Sequence, residues 1–302
     1  MGKPSEKVGL APAAVNTRCP RRVSTFPFMP GNDGTLEAAF IDRLAQARRA
    51  HRLPPHLREL AEEFGRAVLA FLFPHFARTR RSDRADLAAE EAGLRVLLAQ
   101  MVDQNHLIDR FFAELPGIYE ALLADADAMY QGDPAANSAD EVILAYPGFF
   151  AIALYRVAHA LHELDIPLFP RLLSEFGHRQ TGIDIHPGAQ IGFRFAIDHG
   201  TGIVVGETAV LGSRVRLYQG VTLGAASVRK ALSRTKRHPT IGNNVVIYSN
   251  ATILGGDTVV GDDSIIGGSV WLTHSVPPKS VITHREHERR ERPAEDLVEF
   301  YL

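Results

Sequence analysis

The chain has 302 residues, with 33 Lys and Arg against 35 Asp and Glu, a formal net charge of -2 and a pI near 6.7, a balance that argues against bulk nucleic-acid binding and leaves room only for a local basic loop. With 45% apolar residues it can bury a sizeable core and is long enough for two structural units. The single cysteine, Cys19, rules out an internal disulfide, and no run of 18 apolar residues and no signal peptide is visible, so a soluble cytoplasmic protein is expected.

Residues 1–34 are rich in Pro, Gly, Ser and Arg and lack periodicity, which predicts a disordered tail and argues against Cys19 as a catalytic thiol. Residues 35–180 read as an α-helical domain. Leu57, Leu60, Phe64, Val68 and Phe71 fall on one helix face, as do Leu107, Phe111, Leu115, Ile118 and Leu122, and then Phe150, Leu154, Val157 and Leu161. Breakers at Pro54-Pro55, Pro74, Gly132-Asp133-Pro134 and Pro147-Gly148 divide the bundle into five or six helices. His159, on the last long helix, reads as a residue satisfied by packing or capping rather than as a ligand.

Near Gly182 the period changes to six. Steps of six from Ile185 land on Ile191, Ile197, Ile203, Ala209, Val215 and Val221, and a second run takes in Ile241, Ile247, Ile253, Val259, Ile265 and Trp271. Such a period fits neither an amphipathic helix nor an alternating strand; it marks a parallel β-helix, expected here over residues 181–278. In a triangular coil of three hexapeptides, residues eighteen apart stack at about 4.8 Å, each aliphatic stop points inward, and Gly, Asn and Asp supply the corners. Val221 and Ile241 are out of phase, so residues 224–239, with Arg229, Lys230, Arg234, Lys236, Arg237 and His238, read as a basic loop extruded from one coil. Pro277-Pro278 ends the last coil, and residues 279–302 read as a charged, solvated tail.

Two polar clusters interrupt the ladder, Asp184-Ile185-His186-Pro187 and Asp198-His199-Gly200-Thr201-Gly202. Fifteen residues separate Asp184 from His199, which places them on the same face of adjacent coils, three positions apart along the strand. A carboxylate within reach of an imidazole fixes its tautomer and stabilises its protonated form, as a general base requires; two solvated corner residues are the alternative. Zinc would draw on His186, His199, His238, His274 and His284, but it needs three or four converging ligands and the coils contain no H-x-x-x-x-H pair, so no metal is expected.

The segments DIHPGAQIG, DHGTGIVVGETAVLG, QGVTLG and KRHPTIG, within a match over about residues 125–278, closely resemble the serine O-acetyltransferases of bacteria and plants, members of the hexapeptide-repeat acyltransferases. The resemblance implies an α+β chain in which an N-terminal helical bundle precedes a left-handed parallel β-helix, an exception to the right-handed crossover rule. It implies homotrimers that pair into hexamers, an active site between adjacent subunits, and transfer of acetyl from acetyl-CoA to the L-serine hydroxyl for cysteine biosynthesis. By the same resemblance His199 is the general base and Asp184 its orienting partner, while Asp133, in DAMYQGDPA, binds the substrate ammonium with Asp198. Arg237 takes the carboxylate, which suits a planar guanidinium fork; His238 supports that end or the developing oxyanion, and Glu207 lies close by. Gly224, Ala225 and Ser249 match the positions that line the acetyl-CoA groove.

Three departures stand beside that match. The family's IGAGA is IYSNA here, with Tyr248 in place of Gly; the extruded loop is longer and more basic; and the tail ends in Phe300-Tyr301-Leu302 instead of the segment with which the family docks cysteine synthase, so that partnership is not carried over. The rival readings are an acyltransferase for homoserine or a sugar, a non-catalytic trimeric scaffold, and a zinc hydrase on the same fold. Asp133 with Arg237 matches an amino-acid acceptor better than a sugar, and neither nucleic acid nor membrane is expected as a partner.

Overall fold

The computed structural model describes residues 38–51, 53, 56–79, 83–226 and 235–283. The expected tail with Cys19, the middle of the basic loop with Arg229, Lys230 and Arg234, and the terminus from His284 lie outside these residues. Two compact units divide the chain at Leu53. In the first, helix α1 (Ala38–Ala50) has no buried residue.

The second unit holds α2 (Leu57–Leu72), a 3₁₀ turn (Pro74–Phe76), α3 (Arg84–Ala99), α4 (Asn105–Gly132), α5 (Ala139–Ala145), α6 (Pro147–Glu163) and α7 (Phe169–Thr181). Seven α-helices thus stand among the described residues where the breakers suggested five or six. The turn signals at Gly132 and Pro147 bracket a further short helix, α5, started by a capping box in which Ser138 accepts the Glu141 N–H while Glu141 accepts the Asn137 N–H. Asp165 and Leu168, both at positive φ, separate α6 from α7. The expected apolar stripes are the core faces: Phe64, Val68, Phe111, Leu115, Leu122, Leu154, Val157 and Leu161 are buried.

Fourteen short parallel strands follow: β1 (Asp184–Ile185), β2 (Gln190–Ile191), β3 (Ala196–Asp198), β4 (Val204–Val205), β5 (Val210–Leu211), β6 (Arg216–Tyr218), β7 (Thr222–Gly224), β8 (Thr240–Ile241), β9 (Val246–Ile247), β10 (Thr252–Leu254), β11 (Val259–Val260), β12 (Ile265–Ile266), β13 (Trp271–Leu272) and β14 (Val281–Ile282). They form three sheets, β1-β4-β7-β10-β13, β2-β5-β8-β11 and β3-β6-β9-β12-β14, so that each third strand stacks on the one before as far as β13; a single bridge from Val276 to Val260 then takes the place of a strand, and β14 stacks on β12. This is the three-sided parallel β-helix that the period of six predicts.

The coils are not uniform, and this corrects the ladder. Asp184 pairs with Val204, twenty residues on; Val204 with Thr222, eighteen on; Val210 with Thr240, thirty on; and Thr240 with Val259, nineteen on. Each excess falls at a corner: at His199–Gly202, at the extruded loop, and near Gly255, which has φ of +103°. After the first excess, the stops Ile203, Ala209, Val215 and Val221 are buried corner positions, and the strand centres are Val205, Leu211, Leu217 and Leu223. After the last, Val259, Ile265 and Trp271 face outward, Trp271 with 68% exposure, while Val260, Ile266 and Leu272 fill the interior. A one-residue slip exchanges the faces of a strand.

The first coil is an edge whose outward-facing backbone groups need partners, and α6 and α7 supply them. The Ser174 hydroxyl donates to Ile185 O (2.5 Å), His159 Nδ1 to Pro187 O (2.7 Å), and the Tyr155 hydroxyl to Ala189 O (2.6 Å). His159 is therefore a cap, as read from the sequence. Arg156 donates to Gly192 O (2.9 Å) and makes a bidentate pair with Asp125 on α4 (2.5 and 2.9 Å), and Asp125 also accepts the Phe195 N–H (2.8 Å). Asp125 is fully buried; burial raises its pKa, and the Arg156 guanidinium opposes that rise. Asp125→Ala leaves a guanidinium buried without its counter-charge, a loss expected to cost about 3–5 kcal/mol. Urea denaturation of the variant against the parent measures it, and a loss below about 1 kcal/mol would show that the pair does not hold helices to coil.

Candidate active site

One cluster forms where the third sheet turns into the first. Gly148 at the start of α6 comes so close to β3 that a Cβ there would sit 2.8 Å from Ile197 O, which brings the helical domain against Asp198. The chain then runs through His199, Gly200 and Gly202, all at positive φ (57°, 91° and 82°). A side chain at Gly200 would lie 2.5 Å from Ile183. This is the tight corner that presents His199, whose side chain is 74% exposed with Nε2 3.7 Å from Asp198 Oδ1.

Asp133 follows the end of α4. Its Oδ1 accepts the Ala135 N–H (2.8 Å) and its Oδ2 accepts the Tyr146 hydroxyl (2.6 Å). Those bonds, Tyr146 first, hold the Asp133 carboxyl below its ordinary range, with smaller contributions from His199 and Arg216. The same bond pushes the Tyr146 phenol up to about 12, so it stays a donor. Arg216 donates to Ala128 O (2.7 Å) at the C-terminal turn of α4 and packs on Gly132, where any side chain would collide with its guanidinium. Above Asp198, Tyr218 stacks on Tyr248 (4.9 Å between centroids, 14° between planes). Two acids beside an exposed imidazole can hold a cationic ammonium and accept a proton from a group attached to it.

A second cluster lies where the first sheet turns into the second, and the extruded loop returns there. The Arg237 guanidinium donates to Glu207, and Arg237 N and His238 N both donate to the Thr208 hydroxyl (2.9 and 3.1 Å). Thr208 N in turn donates to His238 Nδ1 (3.0 Å), which puts the proton of the neutral ring on Nε2. Burial first, then the Arg237 charge, lowers His238 to about 4, so the ring is a neutral donor near pH 7. It packs on Gly206, where a Cβ would lie 2.0 Å from the imidazole. Burial raises the Glu207 pKa, but Arg237, His186 and His162 outweigh it and leave the carboxyl below its usual range. Lys236 closes the loop by donating to Thr208 O (2.7 Å), His238 O (2.5 Å) and Pro239 O (3.2 Å).

The site residues expected from sequence therefore separate into two groups on one chain. Asp133, Asp198 and His199 share the first corner, with Ser249 two coils above; Glu207, Arg237 and His238 share the second, with Gly224 and Ala225 where the loop departs. Asp184 is not where its spacing put it. The two added corner residues place it in β1 on the first sheet and His199 in the corner that leads there, and no hydrogen bond or ion pair joins them. The Asp184 carboxylate instead lies with Glu175 and His178 of α7, their ligand atoms all within 4.8 Å of one another. Tyr146, Arg216, Thr208 and His162 were missed in the sequence; Tyr146 stands just before Pro147, and Thr208 lies inside the quoted GET segment.

A three-sided parallel β-helix with one loop thrown out of a coil, docked on a helical bundle, defines the hexapeptide-repeat acyltransferase fold class. The description "Serine acetyltransferase, N-terminal" matches residues 78–153. A plasmid-borne serine acetyltransferase of Synechococcus elongatus is 50% identical over 187 residues, covering 60% of this chain and 58% of its own. The serine acetyltransferase of Bacillus subtilis is 45% identical over 164 residues, 54% of this chain and 73% of its own. Among solved structures, Entamoeba histolytica serine acetyltransferase 1 in complex with L-cysteine has a TM-score of 0.68 at 35% identity, over 74% of this chain and 86% of that one. Neisseria gonorrhoeae serine acetyltransferase in complex with serine has a TM-score of 0.56 at 27% identity, over 82% and 88%. The chain belongs to the serine acetyltransferase family, and its β-helix is the left-handed one of those structures. It spans about half to three fifths of the length of the first curated relatives, 58%, 52% and 49%.

Burial also lowers His186 to about 4. Between about pH 4 and 6.5 the folded chain therefore binds fewer protons at His186 and His238 than the unfolded chain, so stability rises with pH across that window and is lost as pH falls through it. Urea midpoints measured from pH 4 to 7.5 are expected to show this slope, and a double His186→Gln, His238→Gln variant to flatten it. An unchanged slope in the double variant would show that other groups carry it.

Proposed function

We propose that the protein is a serine O-acetyltransferase, which moves acetyl from acetyl-CoA to the hydroxyl of L-serine and yields O-acetyl-L-serine and CoA for cysteine biosynthesis. The observation that carries this reading is the division of the chemistry: two acids and an exposed imidazole at one corner, a guanidinium and a neutral imidazole donor at the next. A homotrimer, in which the second corner of one subunit meets the first corner of its neighbour, completes the site. The Neisseria relative crystallised with serine supports the acceptor.

In this reading Asp133 and Asp198 hold the ammonium of L-serine, and Arg237, oriented by Glu207, takes its carboxylate through paired hydrogen bonds. His199 removes the hydroxyl proton as the oxygen attacks the thioester carbon. Asp184, in β1, is the proposed orienting partner of that imidazole. His238 donates from Nε2 to the oxyanion, which stabilises charge where it develops. As the C–O bond forms and the C–S bond breaks, the proton held on His199 passes to the departing CoA sulfur. Gly224, Ala225 and Ser249 line the path of acetyl-CoA. The proposed domains are a helical one over 35–180 and the catalytic β-helix over 181–278, in a cytoplasmic enzyme; among the described residues no single helix is long and apolar enough to cross a membrane.

The purified protein is expected to release CoA with L-serine and acetyl-CoA, and an acceptor panel including homoserine and a sugar, run with and without L-cysteine, tests the assignment. A sugar acetylated faster than L-serine refutes it. His199→Ala is expected to lower kcat by about 10²- to 10⁴-fold with the circular dichroism spectrum intact. Light scattering is expected to give a trimer or a pair of trimers, and an active monomer would exclude a site shared between subunits.

A further inference from the structure

Directly above the corner that carries Asp198 the coils build a column. Asp198 pairs with Tyr218; Leu217 pairs with Ile247, which puts Tyr248 above Tyr218; and Ile266 pairs with Ile247, which puts Gly267 above Tyr248. Consecutive coils rise by about 4.8 Å. In the proposed site, a three-carbon amino acid anchored by its ammonium at Asp133 and Asp198 extends along this column, past Tyr218 and toward Tyr248. Downward the way is closed, because Asp133 and Tyr146 sit against the first coil and bond to one another. Upward, Gly267 adds no side chain, and the next coil lies close above it, with Ile282 O 3.0 Å from where a Cβ would sit.

We propose that Tyr248, held in place by its stack on Tyr218, is the wall against which the acyl group lies, and that it limits the length of acyl chain the protein transfers. The inference rests on the reading of the site as acyl-CoA dependent. The stack fixes the ring: the two phenols lie nearly parallel at 4.9 Å, Tyr218 is half-buried, and Tyr248 keeps 42% of its surface exposed, so one face is packed and the rest borders the column. Methyl beside that ring fits; each further methylene has to displace it. The family's glycine at this position offers no such wall. The reaction is otherwise unchanged, with the ester C–O bond formed, the thioester C–S bond broken, and the hydroxyl proton passed by way of His199 to the CoA sulfur.

The test is the ratio of kcat/KM for butyryl-CoA to that for acetyl-CoA, with L-serine as acceptor, in the wild type, Tyr248→Gly and Tyr248→Phe. Since a misfitted methylene in a pocket is worth about 10- to 200-fold, Tyr248→Gly is expected to raise the ratio at least tenfold. Tyr248→Phe keeps the ring and is expected to leave it unchanged. A wild type that acetylates L-serine, with a ratio unmoved in Tyr248→Gly, overturns the inference alone; so does a glycine variant whose KM rises equally for both donors, because the ring then holds the shared CoA portion. A wild type inactive with acetyl-CoA and L-serine overturns the underlying reading first. Should Tyr248→Gly lose its circular dichroism spectrum, Tyr248→Leu keeps the test open, with a rise in the ratio again expected and no rise again fatal.

Discussion

The arrangement depends on a buried charge pair. Asp125 and Arg156 come from different helices, and between them they bond to three backbone groups of the first coil as well as to one another. A buried ion pair gains little net stability over well-packed apolar residues, but it tolerates few geometries. That is what a junction of two unlike architectures needs. An apolar helix face can slide along an apolar sheet; a guanidinium bonded to a carboxylate and to backbone carbonyls cannot. Tyr155, His159 and Ser174 extend the fixed register along the same edge.

From that register the position of the site follows. Asp133 belongs to the helical domain and His199 to the coil, yet both face one corner because α4 ends and α6 begins against β3. Two acids near one imidazole would be costly if both stayed ionised without partners. Here the Tyr146 hydroxyl and the Ala135 N–H stabilise the charged form of Asp133 in advance, as the proposed ammonium site requires. At the other corner Thr208 does comparable service, accepting two backbone N–H groups of the returning loop and donating its own N–H to His238. The ring is thereby held in the tautomer that can donate.

The sequence made the period of six plain because each hexapeptide buries two residues, one at the corner and one at the strand centre. Ile203 to Val221 therefore stayed apolar even though the ladder had moved from centres to corners. The later slip was hidden for another reason: Val259 and Ile265 are aliphatic and Trp271 aromatic, yet all three face outward. The extruded loop is signalled by the twenty residues between Val221 and Ile241, yet from the strand centre Leu223 to Ile241 is eighteen: that offset comes from the slip at His199–Gly202, and the run of basic residues is the loop's other sign. What the spacing of Asp184 and His199 misjudged was the corner that begins at His199, whose two added residues only glycine-assisted turns reveal. The bond from Tyr146 to Asp133 crosses an irregular turn and a short helix, where no periodicity points to it.

Along the axis of the β-helix each coil is tied to the next by the fixed spacing of its backbone ladder, whereas around the axis the coils take eighteen, nineteen, twenty or thirty residues. Length is thus free in the plane of a coil and constrained perpendicular to it. A chain built this way can gain or lose residues at a corner without disturbing the coils above and below. Evolution can revise what a corner carries, one turn at a time, on a frame that does not need to be rebuilt.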